Sequence, residues 1–124
     1  MQITEIAIPE LLKNCIDTKI LELITFKIKN GYCETNGDEI IIVLDYDSDV
    51  FLALRNFMKE TEPTTIGGGN LKVYEYKLGI EDKDYSQIKF EILFDNGDLN
   101  NYILDSFYHE NNGNNHLNLK FKLI

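Results

Sequence analysis

The chain has 124 residues, of which 44% are hydrophobic and 27% are charged, and its formal net charge is −9 at pH 7. This length fits one domain over residues 1–124, and a domain of this size buries enough surface to hold a core without disulfide bonds. The acidic balance argues against direct binding to nucleic acid or to an anionic membrane, because phosphate contacts need Lys and Arg. It favours a basic partner protein, or serves solubility.

The N-terminal sequence and the cysteine content predict a cytoplasmic protein. The first five residues lack the basic region of a secretory signal, and no long apolar segment follows them. Nowhere does the chain approach the roughly 20 apolar residues that span a bilayer. Cys15 and Cys33 are too few for a disulfide framework, so we expect reduced thiols.

The first quarter of the chain predicts a short helix and then a strand. Pro9 suits the first position of a helix that continues to Ile16. Residues 20–29 predict a half-buried strand, because Ile24, Phe26 and Ile28 alternate with polar residues. Leu21 and Leu23 are out of phase with that set, which suggests a bulge near Leu23.

A turn at 33–37 is predicted to lead into a second strand and a helix. The continuous apolar run at 39–44 is typical of a central strand that is covered on both faces. Ser48 or Asp47 then caps a helix over 49–59, and Glu62-Pro63 prevents it from continuing. The glycine run at 67–69 with Asn70 predicts a flexible loop.

The second half of the chain reads mainly as strands. Alternating patterns predict strands at 71–80, 88–94 and 117–123, and Asp95-Asn96-Gly97-Asp98 predicts a type I′ hairpin turn. Residues 99–109 also match a helical stripe, but the hairpin turn favours a strand. Another turn is predicted at 111–115. The fold class is therefore α+β, with a mainly antiparallel sheet of about five to six strands and one or two helices packed on one face.

Recognisable catalytic and metal-binding motifs are missing from the sequence. The glycine run lacks the Lys and Ser/Thr of a phosphate-binding loop, and the segment 45–56 lacks the Gly and Glu of a calcium loop. His109 and His116 flank the 111–115 turn and could face each other, with Glu110 or Asp105 completing a zinc site. His109, Asp105 and Ser106 also suggest part of a hydrolytic triad, but no nucleophile-elbow motif surrounds the serine. We expect no enzyme activity, no metal and no cofactor.

Acidic side chains are predicted to gather at one edge of the sheet. If the helix over 49–59 crosses between the strand ending at Leu44 and the strand beginning at Leu71, these strands are parallel and their C-terminal ends meet. A cluster of six carboxylates would then steer a basic partner, unless it only solubilises that edge or caps the helix. The six are Asp45, Asp47, Asp49, Glu81, Asp82 and Asp84.

Two further pairs of residues complete the predicted partner-binding set. Asp95 and Asp98 would face each other across the hairpin and await a cation or a basic partner, or else they splay into water or cap the turn. Tyr46 and Tyr85 lie near the acidic turns, and Tyr is enriched in protein interfaces. In sheet packing, the same tyrosines would have only a structural role.

Small size, acidic balance, the absence of a catalytic motif and a strand-rich sequence biased towards Asn, Lys and Ile resemble the bacterial immunity proteins. Those proteins neutralise a cognate toxin, often a basic nuclease of a contact-dependent or other polymorphic toxin system. The resemblance implies a non-enzymatic inhibitor that covers the active site of a basic toxin. A nucleic-acid mimic, a small His-dependent hydrolase and a ligand-binding or scaffold domain stay open as alternatives, and so does the oligomeric state.

Overall fold

The computed structural model describes residues 2–56, 58–60, 64–66, 71–78, 88–111 and 115–124. The predicted loop at 67–70, the predicted helix end at 62–63 and most of the predicted turn at 111–115 lie outside these ranges. The described helices are α1 (Glu10–Cys15), α2 (Thr18–Asn30) and α3 (Ser48–Arg55). The described strands are β1 (Ile3–Ala7), β2 (Tyr32–Asn36), β3 (Glu39–Asp45), β4 (Met58–Glu60), β5 (Thr64–Ile66), β6 (Leu71–Leu78), β7 (Lys89–Phe94), β8 (Leu99–Asn111) and β9 (Asn115–Leu123).

The strands form an antiparallel sheet whose continuous path has the order β1-β7-β8-β9-β3-β2. A branch leaves this path where β6 pairs with β8, and β4 and β5 pair with β6. The predicted α+β class is thus confirmed, with six strands on the main path and one face of the curled sheet covered by helix. The strand at 99–109 is also confirmed, since β8 pairs with both β7 and β9.

The core lies where the sheet curls around α2. This helix contacts β1 at one edge of the path and β3 near the other, and it buries Ile24 and Ile28. The strand β3 is interior as predicted, because it pairs with β2 and β9. Only one of its faces is fully buried, since its residues alternate between buried and half-buried. The largest fully buried side chains include Phe90, Phe94, Phe107, Phe121, Ile42, Leu54 and Ile92.

The predicted strand over 20–29 is wrong, because this segment belongs to helix α2. Asp17 caps the helix by accepting a hydrogen bond of 2.8 Å from the backbone N–H of Lys19. Ile24 and Ile28 are four residues apart, a spacing that fits a helical face as well as an alternating strand. The exposure of Phe26 distinguishes the helix from the strand. A strand would place Phe26 on the same buried face as Ile24 and Ile28, whereas its side chain is 64% exposed. Leu21 and Leu23, which the strand pattern needed a bulge to explain, pack against the core from the helix.

Gly31 joins α2 to β2 at a point where the backbone passes very close to β3. A Cβ atom at this position would lie 2.9 Å from Ile42 Cγ2 and 2.9 Å from the carbonyl oxygen of Val43. Only glycine fits this approach without a shift of the strand. The helix therefore ends here, and the chain turns directly into the strand that pairs with β3.

The predicted crossover between parallel strands is also wrong. Helix α3 ends at Arg55 and not at residue 59, and Met58–Glu60 is a strand that pairs with β6. The strands β3 and β8 are both antiparallel to β9, and β6 is antiparallel to β8. It follows that β3 and β6 run in opposite directions, and that their C-terminal ends lie at opposite ends of the sheet.

The hairpin between β7 and β8 has a three-residue loop and not the predicted type I′ turn. Phe94 and Asp98 are its last paired residues, with a hydrogen bond of 2.9 Å from the Phe94 N–H to the Asp98 oxygen. Gly97 has a φ of 93°, whereas no non-glycine residue of the described chain has a positive φ. A type I′ turn needs positive φ at Asn96 as well, so the loop is a type I turn followed by a glycine bulge.

Candidate functional site

Four of the predicted site residues lie together between β3 and α3. Asp47 is the N-cap of α3, and its Oδ1 accepts hydrogen bonds from the backbone N–H groups of Asp49 (2.9 Å) and Val50 (3.1 Å). Asp49 is exposed in the first turn, where a negative charge suits the helix dipole. The carboxylate of Asp47 is therefore used to begin the helix, while those of Asp45 and Asp49 face the solvent.

The carboxylate of Asp45 stands at the end of β3 beside the imidazole of His116. Asp45 Oδ1 and His116 Nε2 are 3.8 Å apart, and the side chain of Asp45 is 90% exposed. The Nζ atom of Lys27 donates a hydrogen bond of 3.4 Å to the carbonyl oxygen of Asp45. At this exposure the pairing is weak, so the carboxylate stays accessible to a stronger cationic partner.

A groove of about 330 Å³ runs between the end of α2 and the end of β3, and Asp45 lies in its wall. Phe26 from α2 and Tyr32 from β2 also line this groove. Their side chains are 64% and 68% exposed, the highest values among the large hydrophobic residues of the described chain. We call this feature, defined by Phe26, Tyr32, Asp45 and His116, the aromatic groove.

The aromatic groove was only partly foreseen. Asp45 was in the predicted partner-binding set, but Phe26 was assigned to a buried strand face and Tyr32 was not singled out. A helical interpretation of residues 18–30 would have placed Phe26 about a half-turn away from the buried pair Ile24 and Ile28, on the outer face of α2. No sequence signal brings α2 next to the end of β3, because that contact depends on how the sheet curls.

The predicted site residue Tyr46 packs inward and does not line the aromatic groove. Its ring stacks on the imidazole of His109, with centroids 4.3 Å apart, and Phe51 packs against both rings. His109 Nε2 is also hydrogen-bonded to the Oδ1 atom of Asn115. Tyr46 is half-buried and packs against the core cluster, so its main contacts are internal.

The two histidines do not face each other. In the pairing of β8 with β9, His109 lies opposite Leu117 and His116 lies opposite Glu110. Since Leu117 and His116 are successive residues of one strand, the two imidazoles project from opposite faces of the sheet. Within the described ranges, no group of three or more His, Cys, Asp and Glu side chains is placed to hold a metal ion.

The predicted pair Asp95 and Asp98 lies at the other end of the sheet from Asp45. The turn that carries it comes before β8, and β8 runs in the same direction as β3, which ends at Asp45. The two acids do not face each other, because Phe94 is the residue paired with Asp98. The amide of Asn96 donates a hydrogen bond of 3.0 Å to Asp98 Oδ2, so this carboxylate stabilises the turn locally.

The remaining predicted residues, Glu81, Asp82, Asp84 and Tyr85, lie outside the described part of the chain. The argument that placed them beside Asp45 fails, because it required β3 and β6 to be parallel. Of the ten predicted residues, only Asp45 lines the aromatic groove. Asp47 and Asp49 are two and four residues further along the chain.

The longest described helix, α2, has 13 residues, and among the described helices there is none with the length and apolar character needed to cross a lipid bilayer. No protein-family model matches this chain, and no match was found among curated proteins or among solved structures.

Proposed function

We propose that this protein is a non-enzymatic inhibitor that binds a basic protein through the aromatic groove, in the manner of an immunity protein that neutralises its cognate toxin. The observation that supports it best is the position of two exposed aromatic side chains, Phe26 and Tyr32, in the same groove as the exposed carboxylate of Asp45. Tyr is enriched among the few residues that carry most of the binding energy at protein interfaces, and Phe offers a large apolar area to bury.

Charge would act at long range and the aromatic residues at short range. A net charge of −9 attracts a basic protein and raises its association rate, an effect that falls with added salt. After the encounter, Phe26 and Tyr32 would be buried against the partner and slow its dissociation. An Arg or Lys of the partner would take the place of His116 beside Asp45, where it could also contact the ring of Tyr32.

The geometry argues against two of the alternatives that the sequence left open, the hydrolase and the nucleic-acid mimic. A hydrolase that uses both histidines needs them to converge, whereas they project from opposite faces of the sheet. A nucleic-acid mimic needs carboxylates spaced along one face, whereas the turns with Asp45 and with Asp95 lie at opposite ends of the sheet. We propose that the protein inhibits a basic toxin by covering its active site, and nucleases are the first toxins to test.

The test looks for a toxin gene beside the gene for this chain and measures binding to the encoded protein by stopped-flow kinetics at about 50 and about 500 mM salt. We expect Asp45→Lys to slow association about tenfold at the lower salt concentration. Tyr32→Ala should leave association nearly unchanged and speed dissociation by about tenfold or more. Inhibition of the toxin should weaken in parallel.

Asp95→Lys is the matched control, because it makes the same change in net charge at the opposite end of the sheet. If it slows association as much as Asp45→Lys does, only net charge matters and the groove is not the interface. The function itself fails if no toxin gene lies beside the gene for this chain, or if the wild-type chain neither binds nor inhibits the encoded toxin.

A further inference from the structure

A second and larger groove, of about 490 Å³, runs between α2 and the edge strand β1. Its floor and walls are mainly apolar, with Ile6 and Ile8 on one side and Leu21 and Phe26 on the other. We call it the edge groove. Phe26 stands between the two grooves and lines both, so the experiments below leave it unchanged.

The edge groove follows nearly the whole length of α2. The helix lines it with Thr18, Leu21, Thr25 and Lys29, which are spaced three or four residues apart and so form one continuous stripe. From Thr18 to Lys29 the helix advances about 17 Å. Five residues of extended chain cover the same distance, about 17 Å. The groove therefore has the length of a short β-strand.

The opposite wall of the edge groove is formed by Ile6 and Ala7 at the end of β1 and by Ile8, and no described strand pairs with the outer side of β1. Among the described strands, β1 pairs with β7 alone and ends the path of the sheet. In an antiparallel pair, alternate residues direct their backbone N–H and C=O groups away from the partner strand. Such an edge accepts a further strand, and an extended peptide can bind in this way.

The charges of the edge groove suit an acidic occupant, although the protein as a whole is acidic. The side-chain amide of Gln2 donates a hydrogen bond of 2.9 Å to the carbonyl oxygen of Lys29, which places Lys29 beside the start of β1. Lys13 follows the end of β1, in α1, so a lysine stands near each end of the groove. Glu22 lies between them, and Glu10 pairs with Lys13 at 3.5 Å in an exposed and weak contact.

From these observations we infer that the edge groove binds an extended segment of a partner protein as an added strand on β1. The segment would have apolar side chains at alternate positions, facing Leu21 and Thr25, and an acidic residue at each end, near Lys13 and Lys29. Its middle would be uncharged, because Glu22 repels an acid there. This site adjoins the aromatic groove at Phe26 but does not depend on the function proposed above.

The probe is a pool of amidated heptapeptides with the sequence Asp-Thr-X-Thr-X-Thr-Glu, in which X is Val, Ile, Leu or Phe, so that the acids and the apolar residues share one face of the strand. When the pool is titrated into the 124-residue chain, NMR should show shifts in the backbone amide signals of β1 and in the signals of Leu21 and Thr25. Lys29→Glu should weaken binding of the pool at least about tenfold. Lys19→Glu is the matched control, since this exposed lysine is on the same helix but not in the groove, and it should bind like the wild type.

Three altered pools test the mode of binding. Proline is placed at position 4 in one pool and at position 5 in another, because only alternate backbone N–H groups of an added strand point at β1, and at least one of these two pools should lose binding. Lysine at both ends of the third pool should abolish binding if the charges matter. The inference is overturned if the original pool does not bind, if both proline pools bind equally well, or if the shifts fall outside β1 and α2. The inference would also be overturned if the chain forms a dimer that Lys29→Glu abolishes and binds no peptide. The occupant of the groove would then be a second copy of the chain.

Discussion

The ring of Tyr46 lies almost parallel to the imidazole of His109, with centroids 4.3 Å apart and an angle of 16° between the planes. This contact joins the loop before α3 to strand β8, and Phe51 closes it from the helix side. It fixes the position of the loop that follows Asp45. The stack therefore holds the end of β3 from the face of the sheet opposite to His116, and Tyr46 does not line the aromatic groove.

Tyr46→Ala should lower the free energy of unfolding by about 2 to 3 kcal/mol, because it removes a half-buried ring and its stacking on His109. Urea denaturation followed by circular dichroism measures the loss. Tyr46→Phe keeps the ring and should change stability by less than about 1 kcal/mol. A similar loss in both variants would mean that the hydroxyl group, and not the stacked ring, stabilises the loop.

Asp47→Ala should destabilise the protein by about 1 kcal/mol, since two backbone N–H groups of α3 lose their acceptor. Asp49→Ala removes the same charge from the same turn, but without a side-chain cap, and should cost only about 0.5 kcal/mol. Chemical denaturation of the two variants gives the comparison directly. Equal losses would show that charge near the helix end, and not capping, is the role of Asp47.

The protein should become less stable in alkaline solution. Burial raises the pKa of Tyr102 above its ordinary value of 10.0, and burial likewise raises the pKa of the Cys33 thiol above 9.0. The unfolded chain then loses these protons at lower pH than the folded protein does, so it binds fewer protons. The stabilisation is complete below about pH 9 and is lost as the pH rises through these ordinary values towards the raised ones.

Tyr102→Phe tests this prediction, because it keeps the buried ring and removes the titrating hydroxyl group. The free energy of unfolding, measured between pH 8 and pH 11, should fall less steeply with pH in the variant than in the wild type. Cys33→Ser should flatten the profile at the lower end of that range. Profiles that run parallel in all three proteins would rule out these two groups as the cause.

Much of the fold follows from short-range patterns in the sequence. The strands β7 and β9 alternate cleanly, with Phe90, Ile92 and Phe94 in one and Leu117, Leu119 and Phe121 in the other on the buried face. The Asn-Gly pair marked the hairpin before β8, and this turn decided between strand and helix for residues 99–109. These features depend on neighbouring residues, so the sequence suffices to predict them.

The segment 18–30 shows where such patterns fail. Ile24 and Ile28 suit both a strand and a helix, and only packing against β1 and β3 decides which face of the segment is buried. The direction of β6 is a second case, because strand polarity depends on which strand it pairs with and not on its own residues. Both errors affected the predicted site, since one misplaced Phe26 and the other created an acidic edge.

By itself, the sequence determined the charge, the α+β class, most of the strands and the capped start of α3, because each depends on composition or on residues close together in the chain. The tertiary structure decided which side chains share a surface. Only the curl of the sheet around α2 brings Phe26 and Tyr32 next to Asp45, and only the antiparallel register separates the two histidines and the two acidic turns. Contacts between residues distant in the chain arise from the packing of whole elements, which a local pattern does not encode.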